Sequence, residues 1–119
     1  MKLTDAEWSV LDVLWSGERF SLGELTHALE PEHGWSKNTV YTYLVRMEAK
    51  GLVSIERSRE KPYAAAVSRD ACAREARDKL LQKVYGGAAG DLIAAFLKES
   101  HISSQEAARL RQLLDDMEV

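Results

Sequence analysis

The chain contains little of what would brace it covalently or hold a metal. Of its 119 residues only Cys72 is a cysteine, which excludes an internal disulfide and leaves no cluster of thiolates for a metal site. A small, partly buried helical side chain is the expected role for that thiol. The three histidines, His27, His33 and His101, are scattered and form no ligand set. There is no glycine-rich phosphate loop, no His-Glu-x-x-His and no serine set in a strand-turn-helix elbow. No enzymatic activity, metal or cofactor is therefore expected. No apolar run approaches the roughly 18 residues that span a bilayer, and the N-terminus lacks a basic segment followed by an apolar one. Membrane insertion and a secretory signal are thus not expected, and the cytoplasm is the expected location.

Hydrophobic residues make up 45% of the chain and charged residues 29%, which suits one ordinary globular domain or two very small ones. The net charge of −3 argues against a protein that coats nucleic acid without selectivity. Its distribution says more than its sum. Residues 1–32 carry Lys2 and Arg19 against Asp5, Glu7, Asp12, Glu18, Glu24, Glu30 and Glu32. Residues 33–63 carry Lys37, Arg46, Lys50, Arg57, Arg59 and Lys61 against Glu48, Glu56 and Glu60. A protein so divided can turn its basic side to DNA while the acidic remainder discourages unspecific adhesion.

The basic side includes one well-delimited helix between Trp35 and Gly51. Ser36 can cap its start, and Gly51 can stop it with Lys50 in the last turn. Val40, Leu44 and Met47 recur at spacings of four and three and form one apolar face. The opposite face carries Lys37, Asn38, Tyr41, Thr42 and Arg46, groups that can donate to phosphates and base edges, and no acid occurs until Glu48. A DNA-recognition helix has this pattern, and so do many solvated helices. The neighbouring segments carry the decision.

Thr4-Asp5-Ala6-Glu7 has the form of a capping box ahead of Trp8, Val10, Leu11, Leu14 and Trp15, predicting a first helix from Thr4 to Ser16. Both tryptophans are expected in packing and not as a platform for bases. Ser21-Leu22-Gly23-Glu24 repeats the box before Leu25, Ala28 and Leu29, and Pro31 is expected to keep this second helix from running much further. Trp35 is placed to brace the start of the third helix as a hydrophobic staple. Leu52–Glu56 and Pro62–Val67 read as two short strands joined by the basic turn Arg57-Ser58-Arg59-Glu60-Lys61. Three helices followed by such a hairpin form a winged helix-turn-helix, with the wing on the sugar-phosphate backbone. Residues 1–67 are assigned to this domain.

From Ser68 the pattern becomes purely helical, and residues 68–119 are assigned to a helical dimerisation region, making the fold mainly α with a small β-hairpin. One helix opens at Ser68-Arg69-Asp70 and carries Cys72, Ala73, Ala76, Leu80, Leu81 and Val84. A second starts near Asp91 with Leu92, Ile93, Ala95, Phe96 and Leu97. A third follows the box Ser103-Ser104-Gln105-Glu106 with Ala107, Leu110, Leu113, Leu114 and Met117. About fifty residues in three helices cannot bury these side chains well alone. A symmetric partner can, so a homodimer is expected, with two recognition helices on a palindromic operator.

The run Trp35-Ser36…Thr39-Val40…Thr42…Leu44…Arg46-Met47…Lys50-Gly51-Leu52-Val53, preceded by Leu3-Thr4-Asp5-Ala6-Glu7…Val10-Leu11…Leu14-Trp15, resembles the BlaI/MecI/CopY family of penicillinase-type repressors over nearly the whole chain. The resemblance implies a homodimeric repressor that occupies a dyad operator in double-stranded DNA and blocks transcription. It implies base reading by Asn38, Thr39, Tyr41 and Thr42, with Tyr41 where the antibiotic-resistance members carry a glutamine able to make a bidentate adenine contact. Ser36, Lys37, Arg46, Lys50, Arg57, Arg59 and Lys61 are assigned to phosphates, and Tyr63 to packing of the wing. In resistance members a membrane sensor protease relieves repression by cutting an asparagine-phenylalanine bond in the second C-terminal helix. Here the corresponding bond is Ala95–Phe96, and Ala95 departs from the pattern. The copper-responsive branch carries paired cysteines at the C-terminus, which this chain lacks. Two other readings stay open at this point: a winged-helix protein-interaction module and a regulator that responds to a small ligand.

Overall fold

The structure, a computed structural model, describes residues 2–117. Their order is α1 (Asp5–Leu14), α2 (Leu22–His33), α3 (Lys37–Ala49), β1 (Val53–Ile55), β2 (Tyr63–Ala65), α4 (Arg69–Tyr85), α5 (Ala89–Glu99) and α6 (Ser104–Asp116). The chain divides into two compact units, residues 1–76 and 77–119.

The first unit is built on capped helix starts. Thr4 accepts from the backbone of Glu7 while Glu7 accepts from the backbone of Thr4, and Ser21 and Glu24 make the same reciprocal pair. Ser36 accepts from the Thr39 backbone at the start of α3. Each cap satisfies amide donors that a helix start leaves unpaired. α2 runs past Pro31 only as far as His33, in keeping with the short reach expected beyond the proline, and is closed by Gly34. Pro31 lies in the last turn and removes only its own donor, so the residues after it can still wind. Gly34 closes the helix at φ 62°, the left-handed cap that costs a side-chain-bearing residue more.

β1 and β2 pair antiparallel with Val53 opposite Ala65, Ser54 opposite Ala64 and Ile55 opposite Tyr63. Both strands are shorter than the sequence pattern suggested. Beyond them the ladder continues as single bonds, Glu56 N–H to the Pro62 carbonyl and Ala66 N–H to the Leu52 carbonyl, each 2.9 Å. An additional antiparallel bridge joins Phe20 to Tyr63, with Phe20 N–H donating to the Tyr63 carbonyl at 2.8 Å and Tyr63 N–H to the Phe20 carbonyl at 3.0 Å. The loop before α2 thereby covers the free edge of β2, and Tyr63 is buried.

The core of this unit contains Val10, Leu11 and Leu14 of α1, Leu25 and Leu29 of α2, and Val40, Leu44 and Met47 of α3, closed by Leu52, Val53 and Tyr63. Trp15 packs on its edge, meets Trp8 edge to face at 5.8 Å, and donates from Nε1 to the Val67 carbonyl at 2.9 Å. Packing is thus the role of both tryptophans. The first turns of α4 are secured by Ser68, which accepts from the Ala71 backbone, and by Arg69, 3.1 Å from Asp12 and over the Trp15 ring. Cys72 is half-buried, and burial pushes its thiol above the usual range, away from the reactive thiolate.

The second unit has no buried residue among those described. Leu80, Val84, Ile93, Phe96, Leu97, Leu110, Leu113, Leu114 and Met117 stand 36% to 60% exposed. Leu81 and Leu92 are half-buried. No helix among the described residues is long and apolar enough to cross a membrane.

Leu44 is fully buried on α3 against the other two helices. Leu44→Ala should destabilise the first unit by about 3 kcal/mol through lost burial and an incompletely collapsed cavity. Urea denaturation followed by tryptophan fluorescence measures this, and a loss below about 1 kcal/mol would contradict the assigned packing.

Candidate nucleic-acid interface

α3 is oriented by its buried stripe. With Val40, Leu44 and Met47 in the core, the helical period turns Lys37, Asn38, Tyr41, Thr42 and Arg46 outward, and all five are exposed. Asn38, Thr39, Thr42 and Arg46, with Tyr43, line a shallow depression of about 310 Å³. The hydroxyls there are already partly engaged. Thr42 Oγ1 donates to the Asn38 carbonyl at 2.9 Å, which leaves its oxygen outward as an acceptor. Thr39 Oγ1 lies 3.2 Å from Ser36 Oγ, beside the helix cap. Tyr41 stands apart from this depression, on the side toward the wing.

The start of α3 is held by stacked rings. The His33 and Trp35 rings stack with centroids 4.0 Å apart, and the Trp35 and Tyr43 rings at 4.6 Å. Trp35 does brace α3, but its ring partner is Tyr43 in the second turn, further along than a staple contact would be. Sequence spacing did not single out Tyr43, because a tyrosine seven residues after the cap reads as one more exposed polar position.

The C-terminal end of α3 is held by charge. Lys50, which the sequence assigned to phosphates, places Nζ 2.7 Å from Glu7 Oε2, and the Glu7 side chain is only 4% exposed. The ammonium therefore compensates a buried carboxylate and ties the end of α3 to the first turn of α1. Lys50 thus has a structural partner besides the phosphate contact expected of it. Burial raises the Glu7 pKa, but the Lys50 ammonium and the Thr4 amide together outweigh it and hold the carboxyl below its ordinary value.

The wing cations are paired as well. Arg57 lies 3.4 Å from Glu48, Arg59 2.6 Å from Glu56 and Lys61 3.3 Å from Glu24. The Arg57 guanidinium, with Glu48 first and Tyr41 second among its partners, is held above its ordinary pKa. Glu24 is held below its own by the Ser21 backbone amide and then by Lys61. Arg19 donates from Nε to the Lys61 carbonyl at 2.8 Å and from its terminal nitrogen to the Pro62 carbonyl. It also lies 3.7 Å from Glu56. This arginine, which residue pattern alone left as an isolated charge in an acidic segment, is a brace for the wing. The acids paired with Arg57 and Lys61 come from α3 and α2, so no local spacing announces them, whereas Glu56 stands three residues before Arg59. Exposed pairs of this kind are worth little each and are readily exchanged for another anion.

Ala95 and Phe96 lie within α5, and the apolar residues assigned to a dimer core lie on α4, α5 and α6, with Met117 just past the end of α6. Among the described residues no group of three or more His, Cys, Asp or Glu side chains could hold a metal.

Comparison with known proteins adds to this geometry. A family model described as penicillinase repressor matches residues 3–116. The methicillin resistance regulatory protein MecI of Staphylococcus aureus (strain N315) is 23% identical over 96% of this chain and 94% of its own length. The penicillinase repressor of Staphylococcus aureus is 24% identical over 98% of this chain and 94% of its own. An uncharacterized 16.5 kDa protein of Latilactobacillus sakei is 27% identical over 95% of this chain and 78% of its own.

The Glu7–Lys50 pair has a pH signature. Because the folded pKa of Glu7 is lowered, its stabilisation is complete above the unfolded value near 4.5 and is lost as pH falls through the folded one. Lys50→Met should cost about 1–2 kcal/mol at neutral pH, between the values for surface and buried pairs. With burial then unopposed by the ammonium, acid unfolding followed by circular dichroism should begin at higher pH than in the parent. An unchanged acid transition would show that the pair contributes nothing.

Proposed function

Because this chain belongs to the penicillinase repressor family, we propose that it is a sequence-specific DNA-binding repressor acting as a homodimer on a palindromic promoter operator. The observation that carries the reading is the outward face of α3. Its exposed positions from Lys37 to Arg46 carry no acid, and the wing that follows it in the chain adds three cationic side chains. Asn38, Thr39, Tyr41 and Thr42 are the groups assigned to base edges. Ser36 and Lys37, at the positive end of the helix dipole, and Arg46, in the same depression as the threonines, are assigned to phosphates. Arg59 and Lys61 join them by exchanging Glu56 and Glu24 for the DNA backbone. Such exchange contributes affinity without sequence information.

The homodimer is supported by the second unit, whose apolar side chains a single copy leaves open to water. An isologous contact between two copies would bury the same residues on both sides and relate two recognition helices by a dyad. Release by a sensor protease acting at Ala95–Phe96 would require α5 to unwind first, since the bond lies in the middle of a formed helix.

Fluorescence anisotropy with duplex DNA tests the reading. Thr42→Ala should lower the preference for operator over mutated operator by about 1–2 kcal/mol, whereas Lys37→Ala should weaken all duplexes and reduce the slope of log affinity against log salt by about 1. If the unmodified protein gave no saturable, sequence-dependent signal at any salt concentration, a protein-interaction module would replace a repressor. For assembly, Leu114→Glu should shift sedimentation from dimer to monomer and weaken operator binding more than about ten-fold, since one half-site then binds alone. A parent protein that sediments as a monomer would remove the dimer from the proposal.

A further inference from the structure

Two arginines share one carboxylate at the base of the wing, and they hold it on different terms. Glu56 sets Oε2 2.6 Å from Arg59 Nε and Oε1 3.7 Å from a terminal nitrogen of Arg19. Arg59 belongs to the wing turn, and its side chain is 56% exposed. Arg19 comes from the loop before α2 and is 20% exposed. Its other two nitrogens donate to wing carbonyls, Nε to Lys61 at 2.8 Å and the second terminal nitrogen to Pro62. All three guanidinium nitrogens thus face acceptors of the wing, a set that a rigid fork of donors can hold and a single ammonium cannot. The backbone beside Arg19 is fixed independently, because Phe20 pairs with Tyr63 through two main-chain bonds. To reach an external anion Arg19 would have to break its bonds to two carbonyls, whereas Arg59 gives up one exposed ion pair.

We propose that Arg19 is a positioning residue for DNA binding: it keeps the Glu56 carboxylate neutralised, so that Arg59 can leave for the phosphate backbone. The proposal rests on the reading of the chain as a DNA-binding repressor. A cation that abandons its acid leaves a bare negative charge behind, and beside a phosphate backbone that charge repels. With Arg19 in place, Glu56 passes from two cations to one and keeps a counter-ion on Oε1. Without Arg19, the exchange would strand the carboxylate, and Arg59 stays where it is. Arg19 itself meets no phosphate in this scheme. It acts through Glu56, and Glu56 acts through Arg59.

Fluorescence anisotropy with the full chain, on operator and unrelated duplexes across salt concentrations, tests this. Arg59→Ala in the parent should weaken both duplexes about ten-fold and lower the salt slope by about 1 per wing. Arg19→Met should have the same two effects, although the residue it removes meets no phosphate. Adding Arg59→Ala to Arg19→Met should change affinity less than about two-fold, because Glu56 then already withholds Arg59. Adding Glu56→Gln to Arg19→Met should restore the slope and bring affinity to within about three-fold of the parent, since the amide releases Arg59. An Arg19 that only props the wing would give a loss that adds to that of Arg59→Ala and that Glu56→Gln does not repair. Either result overturns the proposal. Should Arg19→Met lose its helical circular dichroism, Arg19→Gln, which removes the charge and keeps an amide donor, carries the same two tests. If the parent bound DNA and Arg19→Met bound it equally well, this proposal alone would fail. If the parent gave no saturable signal on any duplex, the DNA-binding reading would fail with it.

Discussion

Burial of one stripe on α3 decides most of what this protein can do. Val40, Leu44 and Met47 are each inaccessible to solvent, and a helix that buries those positions has no freedom to rotate. The polar face is therefore presented as a rigid surface. Residues that would be unremarkable on a mobile helix become a fixed constellation of donors and acceptors. The hydrogen bond from Thr42 to the Asn38 carbonyl and the stacking of Trp35 on Tyr43 refine that surface, but only because the helix beneath them is already set.

Charge works differently at the two ends of the site. At the end of α3, Lys50 is paired with Glu7, whose buried carboxylate it helps the Thr4 amide to keep charged. The pair holds the helix against α1. On the wing, Arg57, Arg59 and Lys61 rest on exposed carboxylates that compete weakly with any incoming anion. A net acidic chain can thus keep a basic surface in reserve, with its cations shielded until a phosphate backbone supplies a denser array of negative charge.

The two units differ in how they reach stability. The first buries eleven hydrophobic residues around three helices and a hairpin. The second keeps its large apolar side chains in reach of water along three helices, although α6 starts in a complete capping box of Ser103 and Glu106. Caps start a helix; burial of an apolar face is what usually holds it in place. The proposed second copy of the chain would cover that exposed apolar surface.

Local chemistry determined a good deal here. The capping boxes at Thr4, Ser21 and Ser103, the 3.6-residue stripe on α3 and the hairpin after Gly51 were all legible, because each depends on residues within a few positions of one another. Pro31 marked the end of α2 closely, since a proline in the last turn leaves little helix after it. The outward residues of α3 could be named from the period alone. What only the tertiary structure decided was which charges are free and which are spent. Glu7 and Lys50 are 43 residues apart, Glu24 and Lys61 are 37, and Arg19 reaches the wing across 42. Such pairs arise from the packing of distant elements, and an ion pair, unlike a helix, leaves no period in the sequence.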